Sequence, residues 1–290
     1  MKSKLVLGTA QLGMNYGIGN VHGAPTKDEA FAILDEAYAG DINTFDTSSD
    51  YGVAEEVLGE WIVARGIAGE IHIISKMNST IAEGVPDQIK TSLRRLRLSH
   101  LDGYLLHTPQ HLYDEQVMAD LQEVKESGLT RHIGVSVYEP ADALYALTCG
   151  VDYIQMPYNA FDQRLDRTDF LARAKERGTE VFTRSPFLQG LLLMSPESVP
   201  PYLVSARPHL EHFIVIATRH QLSPLEAALI FALHLHADHV IFGAETILQL
   251  QDILHIAHQA ESPHEDFIRE IKHAFQDVDT NIVDPSLWRK

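Results

Sequence analysis

A single cysteine, Cys149, occurs in the 290-residue chain, so an intrachain disulfide is excluded and no cysteine cluster is available for structural zinc. Basic residues are scarce as well. Lys and Arg number 23 against 40 Asp and Glu, a formal net charge of −17. A chain so acidic repels nucleic-acid phosphates and anionic lipid, and neither is expected as a partner. No apolar run nears the ~18 residues that a membrane span requires. The opening MKSKLVLGTAQLG has no signal-length apolar stretch. Together these absences lead to the expectation of a cytoplasmic protein. What is present is ordinary for a globular chain: 45% hydrophobic and 22% charged residues, over a length that supports a sizeable core.

Short apolar runs rich in β-branched residues alternate with helical patterns from end to end. The runs cover residues 4–9, 44–47, 71–77, 101–107, 132–138, 153–157, 180–184 and 240–243. Most are continuously apolar, as parallel strands buried on both faces are. Thr26-Lys-Asp-Glu29 and Ser223-Pro-Leu-Glu226 are capping boxes that start helices. Gly40, Gly128, Gly150 and Gly178 each end a helical pattern, where a left-handed cap is expected. Eight strand-then-helix units without a composition break indicate a single-domain α/β (β/α)8 TIM barrel over residues 1–290. An open doubly wound sheet fits less well, because Gly13, Gly17 and Gly19 do not follow the dinucleotide spacing GxGxxG. Residues 195–208, rich in Pro and Ser, read as a loop after the seventh strand.

In such a barrel, chemistry sits at the C-terminal ends of the strands. The second strand ends at Asp46, with Tyr51 in the loop beyond; the third ends near Lys76, and the fourth at His107. Taken singly, each has a structural explanation: Asp46 as a cap, Tyr51 as a packed ring, His107 as a satisfied core imidazole. Lys76, closing an apolar run, demands a partner. Four such residues at matching barrel positions point to a site.

Those residues, with LGTAQLG (7–13), FDTSSDYG (45–52), EEVLGEW (55–61), IISK (73–76), LLH (105–107), GVSVY (134–138), QMPYN (155–159), RSPFLQGLL (184–192) and FGAETILQLQDI (242–253), resemble the aldo-keto reductase family over nearly the whole chain. The resemblance implies nicotinamide-dependent interconversion of a carbonyl (aldehyde, ketone or sugar) and an alcohol. It makes Tyr51 the general acid, Lys76 the charge that lowers its pKa, Asp46 the anchor of Lys76, and His107 either a hydrogen-bond donor to the substrate oxygen or a member of the proton relay. A phenol, with reference pKa ~10, needs such help at neutral pH. By the same matching, Gly8, Thr9 and Ala10 approach the cofactor from the first strand. Ser136 and Gln155 take its carboxamide, Arg184 the position beside the nicotinamide, Ser185, Phe187 and Gln189 the stretch around the pyrophosphate, and Gly243, Ala244, Glu245, Gln249 and Asp252 its adenosine end.

Three departures stand out. Val137 replaces a frequent Asn, and Arg184 stands where an aromatic ring often stacks on the nicotinamide. Glu245 and Gln249 lie where NADP-preferring members place Lys or Arg. An acid there suits a free ribose hydroxyl better than a phosphate; the family still places NADP(H) slightly ahead of NAD(H). Arg184, with Arg164, is expected to admit a sugar or an anionic substrate. Residues 188–208 and 280–290, with Trp288, are candidates to wall the pocket.

Other features carry less. His234-Leu-His236-Ala-Asp-His239 reads as a solvent-facing helix end rather than a metal site. Arg94, Arg95 and Arg97 read as a solvated helix face. Asp50 is expected to shape its loop or cap a helix, with Asp50→Asn mild beside Asp46→Asn. Two other functions remain open to a chain of this pattern: a cofactor-binding regulatory subunit with little turnover, and a (β/α)8 lyase forming a Schiff base on Lys76. Oligomeric state cannot be read from the sequence.

Overall fold

The computed structural model describes residues 4–80, 84–235, 237–259 and 264–288. Eight strands run β1 (Leu5–Gly8), β2 (Thr44–Asp46), β3 (His72–Lys76), β4 (Leu101–Leu106), β5 (Thr130–Ser136), β6 (Tyr153–Pro157), β7 (Glu180–Arg184) and β8 (His239–Phe242). Each pairs in parallel with the next, and β8 returns to β1, closing the barrel. All eight fall within two residues of the runs read from the sequence.

Period-two alternation places the site. Val6, Ile74, Leu105, Tyr153, Phe182 and Ile241 form a small apolar cluster inside the barrel, apart from the main core between sheet and helices. Two residues further along the same strands stand Gly8, Lys76, His107, Gln155, Arg184 and Gly243. Successive side chains of a strand face opposite sides, so residue i+2 returns to the interior one layer higher. The apolar layer is thus the floor on which the polar layer rests. Rings seal the barrel here: His132 stacks on Tyr153 of this layer at 4.5 Å, Tyr153 meets Phe182 at 4.9 Å, and Phe182 stacks on His239 at 4.4 Å.

The helices begin where their caps say. Glu29 donates its N–H to Thr26 Oγ1 at 3.4 Å and its carboxylate accepts from Thr26 N–H at 2.8 Å, opening the helix Lys27–Ala39. Ser223 and Glu226 do the same for Pro224–His234. Gly128, Gly150 and Gly178 have φ of 78°, 72° and 69°, as left-handed caps should. Gly40 does not: its φ is −87°, and Asp41 takes the left-handed turn at 63°. Leu254 packs close against Gly40: a Cβ there would lie 2.6 Å from Leu254 Cδ1. The segment read as a loop after β7 is instead a chain of short 3-10 turns, Leu188–Leu193, Pro196–Ser198 and Pro201–Ala206, leading into the helix Arg207–Arg219. Its prolines remove N–H donors and so favour single turns over a continuous helix.

The arginine run behaves as expected, with Leu93 and Leu96 buried and Arg95 paired to Glu55 and Glu56 at 3.3 and 3.1 Å. His239 joins the ring stack and Glu180 at 3.0 Å, while His236 lies outside the described residues. Among the described residues no group of His, Cys, Asp and Glu could hold a metal, and no helix is long and apolar enough to cross a membrane.

Trp61 ties the outer layer to the sheet. Its ring meets Phe45 of β2 edge-on at 5.3 Å and its Nε1–H donates to Asp35 at 2.8 Å. Trp61→Ala is expected to lower stability by about 3–5 kcal/mol, as for other buried large-to-small changes; a urea-unfolding midpoint equal to that of the natural protein would contradict this packing.

Candidate active site

The stretch FDTSSDYG folds into a frame around two charges. Lys76 is 1% exposed and donates to Asp46 Oδ1 at 2.6 Å and to the Thr47 carbonyl at 3.0 Å. Gln155 Nε2 donates to the other Asp46 oxygen, Oδ2, at 2.5 Å. The Asp46 carbonyl is itself held by Thr9, through N–H at 2.9 Å and Oγ1 at 3.1 Å. A buried ion pair survives only when its remaining polar atoms are satisfied, and here they are. Burial lowers the Lys76 pKa and Asp46 opposes that shift.

Tyr51 and His107 lie above this pair. The Lys76 ammonium sits 5.1 Å from the centroid of the Tyr51 ring, and the Tyr51 and His107 rings meet edge-on at 5.7 Å. The Tyr51 loop is pressed onto the short helix Ala10–Gly13. A Cβ on Gly13 would fall 2.0 Å from the Tyr51 carbonyl, so only glycine permits the contact. Beyond the loop, buried Glu55 accepts from Ser75 Oγ at 2.7 Å, pinning the helix Ala54–Arg65 to β3.

Two expectations are corrected here. Lys76 does not pull the Tyr51 phenol below its ordinary range. Burial pushes that phenol well above it, Asp46 adds to the rise, and Arg184 opposes it. Desolvation of the phenolate outweighs the cation because Asp46 already neutralises Lys76. Nor is Asp50 merely a loop residue: its Oδ2 lies 2.9 Å from His107 Nδ1 and accepts from Ser79 N–H at 3.0 Å.

A cleft of about 790 Å³ opens above these groups. Asp46, Tyr51 and His107 line it, while Lys76 stays beneath. Of the expected cofactor residues, Gly8, Ala10, Ser136, Arg184, Ser185, Phe187, Gln189, Gly243, Glu245 and Gln249 line the cleft. Thr9, Gln155 and Ala244 are buried behind it, and Asp252 is exposed outside it. The sequence reading missed the facing wall, Tyr16 to Gly19, which meets Gln189 and Gly190 across the cleft: Gly19 N–H donates to the Gln189 carbonyl at 3.2 Å. The glycines at 17 and 19 were the available signal, since Cβ atoms there would crowd Gln189 O and Gly190 Cα at 3.2 and 3.1 Å. Leu193 to Ser195, Pro285 and Ser286 wall the mouth, as expected of both segments, and Trp288 packs behind with Nε1–H on the Ile282 carbonyl. Arg164 is not in the cleft; Asp162 and Glu139 hold it at 2.8 and 2.6 Å.

Two buried polar atoms among the expected cofactor residues lack partners: Arg184 Nε, on a residue that lines the cleft, and Gln155 Oε1, buried behind it. The unmatched donor on Arg184 suits the carbonyl or phosphate oxygens of a nicotinamide cofactor.

The match of the chain to known proteins agrees with this geometry. The model of the Aldo/keto reductase family covers residues 4–273. The chain belongs to the aldo/keto reductase family. It is 30% identical over 222 residues to L-galactose dehydrogenase of Arabidopsis thaliana, covering 70% of this chain and 68% of that one. It is also 30% identical over 211 residues to the uncharacterized oxidoreductase YqkF of Bacillus subtilis, with 67% of each covered. A solved structure from Pseudomonas aeruginosa assigned to the aldo-keto reductases superposes with a TM-score of 0.68 over 90% of this chain and 91% of that one, at 21% identity, which speaks to the fold. As an aldo/keto reductase the protein is an oxidoreductase of carbonyls and alcohols, a class that uses nicotinamide cofactors.

Removing one member of the buried pair should hurt more than removing both. Asp46→Asn is expected to cost about 3–5 kcal/mol by leaving Lys76 uncompensated, and the Asp46→Leu/Lys76→Met double variant less. Chemical denaturation of the three proteins checks this; equal losses would show that the pair is not electrostatically coupled.

Proposed function

We propose that this aldo/keto reductase interconverts a small carbonyl compound and an alcohol with NAD(P)(H), Tyr51 acting as general acid and base. The observation that carries the reading is the Asp46–Lys76 pair beneath Tyr51 and His107, with both upper groups facing one cleft lined by the expected cofactor residues. When bound, the cofactor supplies or accepts the hydride. Tyr51 holds its proton firmly, because burial disfavours the phenolate, and releases it to an oxygen on which negative charge has grown. Lys76 stabilises the phenolate that is left.

NADP(H) remains slightly favoured over NAD(H) on family grounds. Against it, Arg184 is the one lysine or arginine among the lining residues, and Glu245 stands at the adenosine side. Burial raises the Glu245 pKa, which Gln249 opposes. The Arg184 guanidinium, 4.3 Å from the centroid of the Tyr138 ring and bonded to the Val137 carbonyl at 3.3 Å, forms no ion pair among the described residues. It is placed to receive an anionic or polar group of substrate or cofactor. A Schiff base on Lys76 is disfavoured by its position beneath the cleft, with Asp46 and Thr47 occupying the ammonium. The complete set of Asp46, Tyr51, Lys76 and His107 favours turnover over a purely regulatory role.

Tyr51→Phe is expected to lower carbonyl reduction by at least ~100-fold while the Kd of the reduced cofactor stays within about 3-fold. Stopped-flow oxidation and fluorescence titration check the two halves, and near-normal turnover would sink the assignment. Competitive titration with NADPH and NADH should give NADPH the tighter Kd; a clear advantage for NADH reverses the preference stated above.

A further inference from the structure

One uncompensated positive charge faces the cleft. Arg184 ends β7 in the same interior layer as Lys76, His107 and Gln155. An eight-stranded barrel is only wide enough inside for side chains to fill it, so charges in one layer act on one another at short range. The Arg184 guanidinium lies 4.3 Å from the centroid of the Tyr138 ring and donates to the Val137 carbonyl at 3.3 Å. Its Nε–H has no partner, and no carboxylate pairs with it among the described residues. A ring face and a carbonyl thus hold the guanidinium in place without cancelling its charge.

The other charges at the cleft are already engaged. Lys76 and Asp46 offset each other at 2.6 Å. Asp50 Oδ2 lies 2.9 Å from His107 Nδ1 and accepts from the Ser79 N–H at 3.0 Å. Arg184 and Asp50 act on the Tyr51 phenol in opposite senses, and Arg184 is the stronger of the two.

Tyr51 limits where the reacting end of a cofactor can be. In carbonyl reduction the carbonyl carbon takes a hydride while its oxygen takes the Tyr51 proton, and hydride donor and carbon must approach to ~3–3.5 Å. The nicotinamide ring therefore works within reach of the Arg184 charge. That ring is neutral when reduced and cationic when oxidised, because a hydride carries away a proton and two electrons. The pyrophosphate and the carboxamide oxygen, which a guanidinium can also hold, are the same in both forms.

We infer that Arg184 makes the cleft distinguish the two oxidation states of the cofactor, favouring the reduced form by repelling the positively charged ring of the oxidised one. The site then loads reduced cofactor in the presence of the oxidised form, and sheds the oxidised form once the hydride has been passed on. This inference rests on the proposed function for the presence of a nicotinamide cofactor, and on the unpaired guanidinium for the preference.

Calorimetric titration of the natural protein with NADPH and NADP+, and again with NADH and NAD+, reads the preference without turnover. The reduced form should bind more tightly than the oxidised form of the same cofactor, by ~10-fold or more in Kd. Arg184→Met, checked for folding by circular dichroism, should shrink that ratio by ~10-fold, mainly by tightening the oxidised form. Arg184→Lys keeps the charge and should retain most of the ratio. An oxidised form bound as tightly as the reduced one by the natural protein overturns the inference, whether or not the variants fold. So does an unchanged ratio in Arg184→Met, including the case in which both forms weaken equally, the mark of an arginine that only holds phosphate or carboxamide oxygens. Binding of none of the four nucleotides overturns the proposed function, and the inference falls with it.

Discussion

Two opposite charges inside a barrel are costly to desolvate, and the Asp46–Lys76 pair organises the residues around it to meet that cost. Lys76 reaches Asp46 at 2.6 Å and the Thr47 carbonyl at 3.0 Å, Gln155 holds the second carboxylate oxygen, and Thr9 holds the Asp46 backbone. Each partner comes from a different strand or strand end: β1, β2, β3 and β6. The pair is thus a registration point for half the barrel. A shift of one residue in any of these strands would turn its partner outward and leave a buried charge uncompensated.

The layering below follows from the same requirement. An ion pair needs a dry, rigid support if its geometry is to persist, and the interior cluster of Val6, Ile74, Leu105, Tyr153, Phe182 and Ile241 supplies one. The sealed floor also sets the electrostatics above. With little water to stabilise a phenolate, burial outweighs the Lys76 charge and Tyr51 keeps its proton. The same dryness lowers the His107 pKa, and Asp50, 2.9 Å from its Nδ1, opposes that shift.

Where the sequence reading departs from the structure, the cause is a partner supplied from elsewhere in the chain. Arg164 looked available for substrate, but Asp162 and Glu139 take its guanidinium. Gln155 stands behind the cleft because Asp46 claims its amide. Gly40 resembles a left-handed cap in its neighbourhood, yet Asp41 takes that turn, and Leu254, 214 positions later, packs against the glycine. Asp50 had only its neighbours for context, and its partner His107 lies on the fourth strand. In each case the local pattern was correct as chemistry and incomplete as geometry.

The eight strands, their helix starts and the fold they imply were determined by the sequence alone, because periodicity, caps and glycine punctuation act over a few residues. Asp46, Lys76 and His107 were legible for the same reason: each closes an apolar strand, where a polar residue is costly unless it has a task. Tertiary structure alone decided what those groups are in each other's presence. It placed the Lys76 ammonium 5.1 Å from the centroid of the Tyr51 ring, set Tyr16 to Gly19 against Gln189 and Gly190, and brought Asp50 to Nδ1 of His107. Proton affinities depend on distances of a few ångströms between residues far apart in the chain, and spacing along a sequence does not contain them.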